Sequence, residues 1–249
     1  MKRDSCTLNG SLSRKNEQSF ITMRKIKMTY CGYREWAFEI FDNIKANPKL
    51  DAPVLIRSKE EYDEWMSGSP EGLDFILFVG WSWIIPVHVL KKYLCLGIHP
   101  SDLPEFRGGS PIQNQIIHGI KTTKVSLMTL GEKIDEGDIW LKEDLSLEGD
   151  NIKAIFCNIA SSSIRLLDRF ISAYPDIEPV KQKLDEGSSY KRRKPEDSRL
   201  TIRQIEKMKL EELYDFMRCL TDPYPNAYLE DEQGNRLCFK EVSFERARK

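Results

Sequence analysis

Apolar residues fall in short runs divided by charged stretches along most of the chain. The run "RKIKMTYCG" predicts a strand ending at Gly32. "REWAFEIFDNI" then sets Trp36, Phe38, Ile40, Phe41 and Ile44 at the spacings of a buried helix. "APVLIRS" and "LDFILFVG" are continuous apolar runs separated by the charged "KEEYDEWMSGSPEG", and such runs suit strands covered on both faces of a parallel sheet. "VHVLKKYL" predicts a helix and "CLGIH" a strand. "SPIQNQIIHG" predicts a second helix, with Ser110 as N-cap, Pro111 in the first turn and Gly119 just past its end. "KVSLMTL" and "DIWLKEDLSL" read as strands around the turn "GEKIDEG". "NIKAIFCNIASSSIRLLDRFI" keeps Ile152, Ile155, Phe156, Ile159 and Leu166 in helical register.

This order predicts a Rossmann-like α/β fold, a mostly parallel sheet with helices on both faces. After it the pattern changes. "PVKQKLDEGSSYKRRKPEDSR" is polar and reads as a linker or surface excursion. "IEKMKLEELYDFMRCL" then offers Leu210, Leu213, Met217 and Leu220 as one helical face, and "EQGN" joins two short runs as a hairpin. The expected organisation is a flexible leader over 1–22, a catalytic domain over 23–185, and a linker with a small C-terminal helix and β-hairpin unit over 186–249.

Composition narrows the functional classes. The 249 residues carry 38 Lys and Arg against 39 Asp and Glu, a net charge of -1 that gives no general field for a polyanion, so no nucleic-acid partner is expected. "KRRK", Lys191–Lys194, is the one dense basic patch and reads as a solvated loop. Six cysteines stand far apart without a CxxC pair, which points to reduced thiols and to no metal site. No run of eighteen apolar residues or signal core is present, so no membrane partner is expected and the expected location is the cytoplasm.

Several chemistries fall away on their motifs. The first strand-helix turn, "CGYREW", has a single glycine rather than a pyrophosphate fingerprint, and GxxxxGK[ST], GxSxG and HExxH are absent. What remains is His99 in "CLGIHPSDLPEFRGGSP", at the carboxyl end of a central strand, and the acidic turn Asp135–Asp138 after the next strand. Open α/β sheets build their sites at such strand ends. Alone, a strand-end histidine is more often a satisfied polar group. Two strand ends meeting in one crevice change that weighing. "FVGWSWIIP", Phe78–Pro86, reads equally as core or as an apolar wall for a flat heterocycle. Arg107 beside Gly108, Gly109 and a helix start would suit a phosphate. His88 and His118 lie outside the motif and read as solvent-facing or packing residues.

"HPSDLPEFRGGSP" followed by "GEKIDEGDI" resembles the signature of the folate-dependent formyltransferases, an Asn-x-His, a Ser, Leu and Pro-containing loop, and a later Asp-x-Gly-Asp turn. The resemblance extends from about Lys25 to Ile171, and "CLTDPYPNAYL" resembles a C-terminal landmark of the family. It implies His99 as general base with Asp135, and 10-formyltetrahydrofolate as co-substrate with no metal. Trp83, Ile84, Ile85, Asp135 and Asp138 would lie on the folate, and Trp81, Ser101, Arg107, Gly108 and Gly109 on the acceptor. The family asparagine, taken to hold the formyl oxygen, falls on Gly97, which has no side-chain donor. The wording of the motif is most similar to sugar N-formyltransferases acting on a nucleotide-linked 4-amino-4,6-dideoxy sugar, including those of the pseudaminic acid pathway. A homodimer is among the assemblies this allows. The alternatives are a weak or inactive folate- or nucleotide-binding relative, and a formyltransferase for another small amine such as glycinamide ribonucleotide. The faintly acidic chain and the roughly fifty residues after the linker weigh against formylation of methionyl-tRNA.

Overall fold

The computed structural model describes residues 24–247, so the proposed leader over 1–22 lies outside the described residues. In chain order the strands are β1 (Met28–Cys31), β2 (Val54–Ile56), β3 (Phe75–Val79), β4 (Cys95–His99), β5 (Arg107–Gly108), β6 (Thr122–Thr129), β7 (Ile139–Ser146), β8 (Ser189–Tyr190), β9 (Ala227–Glu230) and β10 (Arg236–Phe239). The helices are α1 (Glu35–Ile44), α2 (Lys59–Ser67), α3 (Val87–Lys92), α4 (Pro111–Ile117), α5 (Ile152–Ala173), α6 (Ile202–Ile205) and α7 (Leu210–Cys219).

Six strands make the central sheet, in the order β2-β1-β3-β4-β6-β7. β1, β2, β3 and β4 run parallel, as their uninterrupted apolar runs and intervening helices require. β6 runs antiparallel to β4, and β7 runs antiparallel to β6, to which a direct turn joins it, since such a turn can only link strands that reverse direction.

The sheet is buried on both faces. On one, Tyr30, Leu77, Leu96 and Ile98 meet Ala37, Ile40, Phe41 and Ile44 of α1 and the long apolar stripe of α5. On the other, Cys31, Ile76, Phe78 and Cys95 meet Tyr62 of α2 and Val89 of α3. Side chains alternate along a strand, so Cys95, Gly97 and His99 share this second face of β4. Two helices are capped by side chains, α2 by Ser58, which accepts from the Glu61 N–H, and α5 by Asn151, which accepts from Lys153 and Ala154.

Two readings are corrected. Ser110 stands at the N-cap position of α4 but in the left-handed region, φ 52, and its Oγ accepts from the Arg193 N–H instead of capping the helix. The C-terminal amphipathic stretch breaks into α6 and α7. Leu210 opens α7 and is 75% exposed, while Met217 and Leu220 reach the core, because the first helical turn projects beyond the body it packs on. Of the two readings of the polar stretch, linker or surface excursion, the structure has the second, with the segment bound to the sheet domain. Val180 bridges Ile139, and β8 pairs in parallel with β5.

Candidate active site

β4 delivers His99 to the carboxyl end of the sheet, where it is 7% exposed. The loop that follows is held by buried polar side chains with no apolar periodicity. Gln115 of α4 donates to the Pro100 and Pro111 carbonyls, Asn114 donates to Gly109 O, and Ser126 of β6 donates to Ser101 O. These bonds satisfy backbone groups that would otherwise be stranded in the interior.

Within this frame the imidazole has two neighbours. Its Nε2 lies 2.9 Å from the carbonyl oxygen of Phe106, and its Nδ1 lies 3.4 Å from Oδ2 of Asp135. The same carboxylate oxygen accepts the Gly108 N–H at 2.8 Å, so it joins the histidine to the glycine loop. Asp135 adopts a left-handed φ of 55, an uncommon conformation for a residue with a side chain. Gln182 stabilises that turn by donating to the carbonyls of Asp135 and Gly137 at 2.9 and 2.7 Å. The two strand ends named by the sequence therefore do meet.

Gly97, two residues before His99, faces a filled space. A Cβ there would lie 2.6 Å from Leu130 Cδ2 and 3.1 Å from its Cγ. Leu130 belongs to the apolar cluster of Trp81, Tyr62 and Phe78, and its N–H is bonded to Cys95 O. The position lacking a side-chain donor is lined by a hydrocarbon.

The segment after β3 forms the outer wall. Trp81 packs against Tyr62, Phe78 and Trp83 with ring centroids 5.5, 5.8 and 4.7 Å apart, and Trp83 packs on Tyr33 at 4.6 Å. The core reading fails for the middle of this run, since Trp83 is 38% and Ile84 92% exposed, while Ile85 is half-buried. Ile134 of the acidic turn is also exposed, and Lys91 of α3 reaches Glu132 of that turn at 3.5 Å. An apolar lip thus borders the acidic turn, an arrangement that marks a ligand surface more often than a core. Asp138 is half-buried, and its carbonyl accepts the Thr129 N–H.

Other expected contacts are placed differently. Arg107 is 8% exposed, with its guanidinium donating to Leu184 O and Ser188 O and facing Glu136 at 3.7 Å. It is a cross-brace between loops rather than a free phosphate ligand. Ser101 is fully buried and donates to Glu105 O, which removes it from contact with a substrate. Gly108 and Gly109 earn their glycines by close packing. A Cβ at Gly108 would lie 2.4 Å from Tyr190 O, and one at Gly109 would lie 2.2 Å from the Arg192 Cα. The "KRRK" loop therefore runs directly beside the glycine pair, with Lys191 and Arg192 exposed and in no ion pair among the described residues. Sequence reasoning gave no role to Phe106, Leu130, Gln182, Ser188 and Tyr190; Phe106 lies inside the loop motif and Leu130 ends an apolar run, and neither pattern marks the contacts these side chains make.

An imidazole beside a carboxylate can take up and return a proton. No activated thiol accompanies it, because burial pushes the Cys95 thiol at the start of β4 up to about 12. Among the described residues no group of three or more His, Cys, Asp or Glu could hold a metal ion, and no helix is long and apolar enough to cross a membrane.

The model of the formyl transferase family matches residues 37–155, which contain His99, Asp135 and the aromatic wall. Methionyl-tRNA formyltransferase from Rickettsia canadensis is 40% identical over 120 residues, covering 47% of this chain and 39% of its own length. The chain thus spans about two fifths of that relative. A solved methionyl-tRNA formyltransferase from Clostridium thermocellum is 31% identical with a TM-score of 0.76, over 88% of this chain and 94% of that one. A sugar N-formyltransferase from a Shewanella species shares the fold at 15% identity and a TM-score of 0.68, over 90% of this chain and 99% of that one. On this agreement of motif and sheet, and on 31% identity across 94% of the solved Clostridium protein, the chain belongs to the formyltransferase family.

Proposed function

We propose that this protein moves a formyl group from 10-formyltetrahydrofolate to the amino group of a nucleotide-linked amino sugar, of the 4-amino-4,6-dideoxy class. The observation that carries the chemistry is the His99–Asp135 pair at the crevice between β4 and the acidic turn. The folate supplies an activated formyl group. Its flat ring suits the exposed wall of Trp83 and Ile84 backed by Trp81 and Ile85, and half-buried Asp138 of the acidic turn is the polar group proposed to meet it.

Amine acylation leaves one surplus proton on the attacking nitrogen as the new C–N bond forms. His99 accepts it, and Asp135 stabilises the resulting imidazolium. The same proton then passes to the departing nitrogen as the old C–N bond breaks, so the protein returns to its starting state. Gly97 and Leu130 give the developing oxyanion no side-chain amide. That charge falls to a main-chain N–H, to water or to the imidazolium itself.

The net charge of -1 supports the sugar acceptor, and the fold is one that the Shewanella sugar N-formyltransferase shares. A second reading, transfer to the amino group of methionyl-tRNA, is supported by the 31% identity to the Clostridium protein. Incubation with 10-formyltetrahydrofolate and either a panel of nucleotide-linked amino sugars or methionyl-tRNA, followed by product mass spectrometry, separates them. Formylated sugar is the expected product. Formylated methionyl-tRNA alone would replace the sugar reading, and no product from any acceptor would reduce the protein to a binding relative.

A further inference from the structure

We infer that the strap of residues 182–190 is a positioning device that fixes which nitrogen of His99 acts as the base, and that this atom is Nδ1. A backbone carbonyl can only accept a hydrogen bond, so the 2.9 Å contact to Phe106 O requires the proton on Nε2. The lone pair of the neutral ring is then on Nδ1, beside Asp135. At 3.4 Å from Oδ2 that lone pair faces a carboxylate, which repels it, and uptake of a proton at Nδ1 replaces the repulsion with a charge-assisted hydrogen bond. This differs from a triad, where the carboxylate faces the N–H and the opposite nitrogen takes the proton.

The carbonyl that makes this selection is itself held under constraint. Phe106 has a φ of 54, in the left-handed region that costs a residue with a side chain on the order of 1–3 kcal/mol unless its surroundings enforce it. The strap is what surrounds it. Tyr190 stacks on the Phe106 ring at 5.1 Å with planes 6° apart, and the Phe106 N–H donates to Ser188 Oγ. The next residues are paired in the same way, Arg107 N–H to Ser188 O and Gly109 N–H to Tyr190 O. Gln182, at the head of the strap, holds the Asp135 turn through its two carbonyl contacts. One segment, outside the stretch that the family model matches, thus sets both neighbours of the imidazole.

The role in catalysis rests on the formyl-transfer reading, whereas the protonation pattern can be measured without any substrate. Nitrogen-15 NMR of histidine-labelled protein resolves the neutral tautomers, and with three histidines in the chain the His99 signals are assigned from the His99→Gln spectrum. The expected result is an Nε2–H ring in the wild type and in Tyr190→Phe, which keeps the stacking ring, with wild-type kcat in that variant. Tyr190→Ala should show a mixed tautomer population. Its kcat should fall by about a hundredfold, the scale for a misplaced catalytic group, with the KM for the folate held within about twofold. Where Tyr190→Ala does not fold, Ser188→Ala, which removes the acceptor for Phe106 N–H, serves with the same expected direction. An Nδ1–H ring in the wild type would overturn the assignment. So would a folded Tyr190→Ala or Ser188→Ala with unchanged tautomer or unchanged kcat. A protein that shows the expected tautomers yet formylates nothing would refute the proposed function and leave the strap's control of His99 standing.

Discussion

Gly97→Asn would give β4 the amide that the family motif carries two residues before its histidine. If the motif alone decided the outcome, the variant would gain an oxyanion donor, which is worth on the order of 10²- to 10³-fold in rate. The local packing argues the other way. The new Cβ would lie 2.6 Å from Leu130 Cδ2 and 3.1 Å from Cγ, against roughly 3.5–4.0 Å for favourable carbon contact. Leu130 meets the new atom with the end of a half-buried side chain packed among aromatic rings, and it must swing against those rings to make room. Overpacking of this kind costs about 1–3 kcal/mol. Borne at the end of β4, beside His99, it corresponds to a loss of roughly fivefold to 150-fold in kcat/KM. The assay is steady-state formyl transfer to one amino sugar, with thermal unfolding measured in parallel. The double variant Gly97→Asn/Leu130→Ala should be faster than Gly97→Asn alone, since it vacates the space the amide needs. A single variant at or above the wild-type rate would refute the packing argument.

His99→Ala should lower kcat by about 10²- to 10⁴-fold with little change in thermal stability, as removal of a general base does, and Asp135→Asn should lower it in the same direction by about a hundredfold; single-turnover transfer measures both. Lys191→Glu/Arg192→Glu reverses two exposed charges beside Gly109 and should raise the KM of a phosphate-bearing acceptor about tenfold at low salt, an effect that shrinks as ionic strength rises. Asp215→Ala should destabilise the fold by about 3–5 kcal/mol in denaturant titration. It strands Arg218, which is 2% exposed and braces the Leu147 and Gly149 carbonyls, and it leaves Lys121 with the longer contact to Glu211.

The sheet was readable because its central strands are buried on both faces, and such strands show as unbroken apolar runs whatever surrounds them. His99 and Asp135 were readable because their chemistry sits in a fixed local motif. The residues that hold them were not. Phe106, Ser188 and Tyr190 act through backbone pairing, a stacked ring and a left-handed φ, and none of these leaves a periodic trace. Arg107 beside two glycines resembles a phosphate ligand until the strap closes over it, and only tertiary contact shows that its guanidinium is engaged. Ile84 misled in the opposite sense, since a single apolar run contains both the packed Trp81 and a residue that faces solvent almost completely. Leu130 filling the place of an absent side chain is a distance relation between two strand ends, which pattern along the chain cannot express.

The most direct test of the central claim is single-turnover transfer of an isotope-labelled formyl group from 10-formyltetrahydrofolate to a nucleotide-linked amino sugar, comparing wild type with His99→Ala. Labelled N-formyl sugar should accumulate with the wild type and stay at background with the variant, while both proteins retain the same folded far-UV spectrum. A folded His99→Ala protein that transfers the label at the wild-type rate would contradict the account, as would a wild type that leaves the label on the folate with every amino sugar offered.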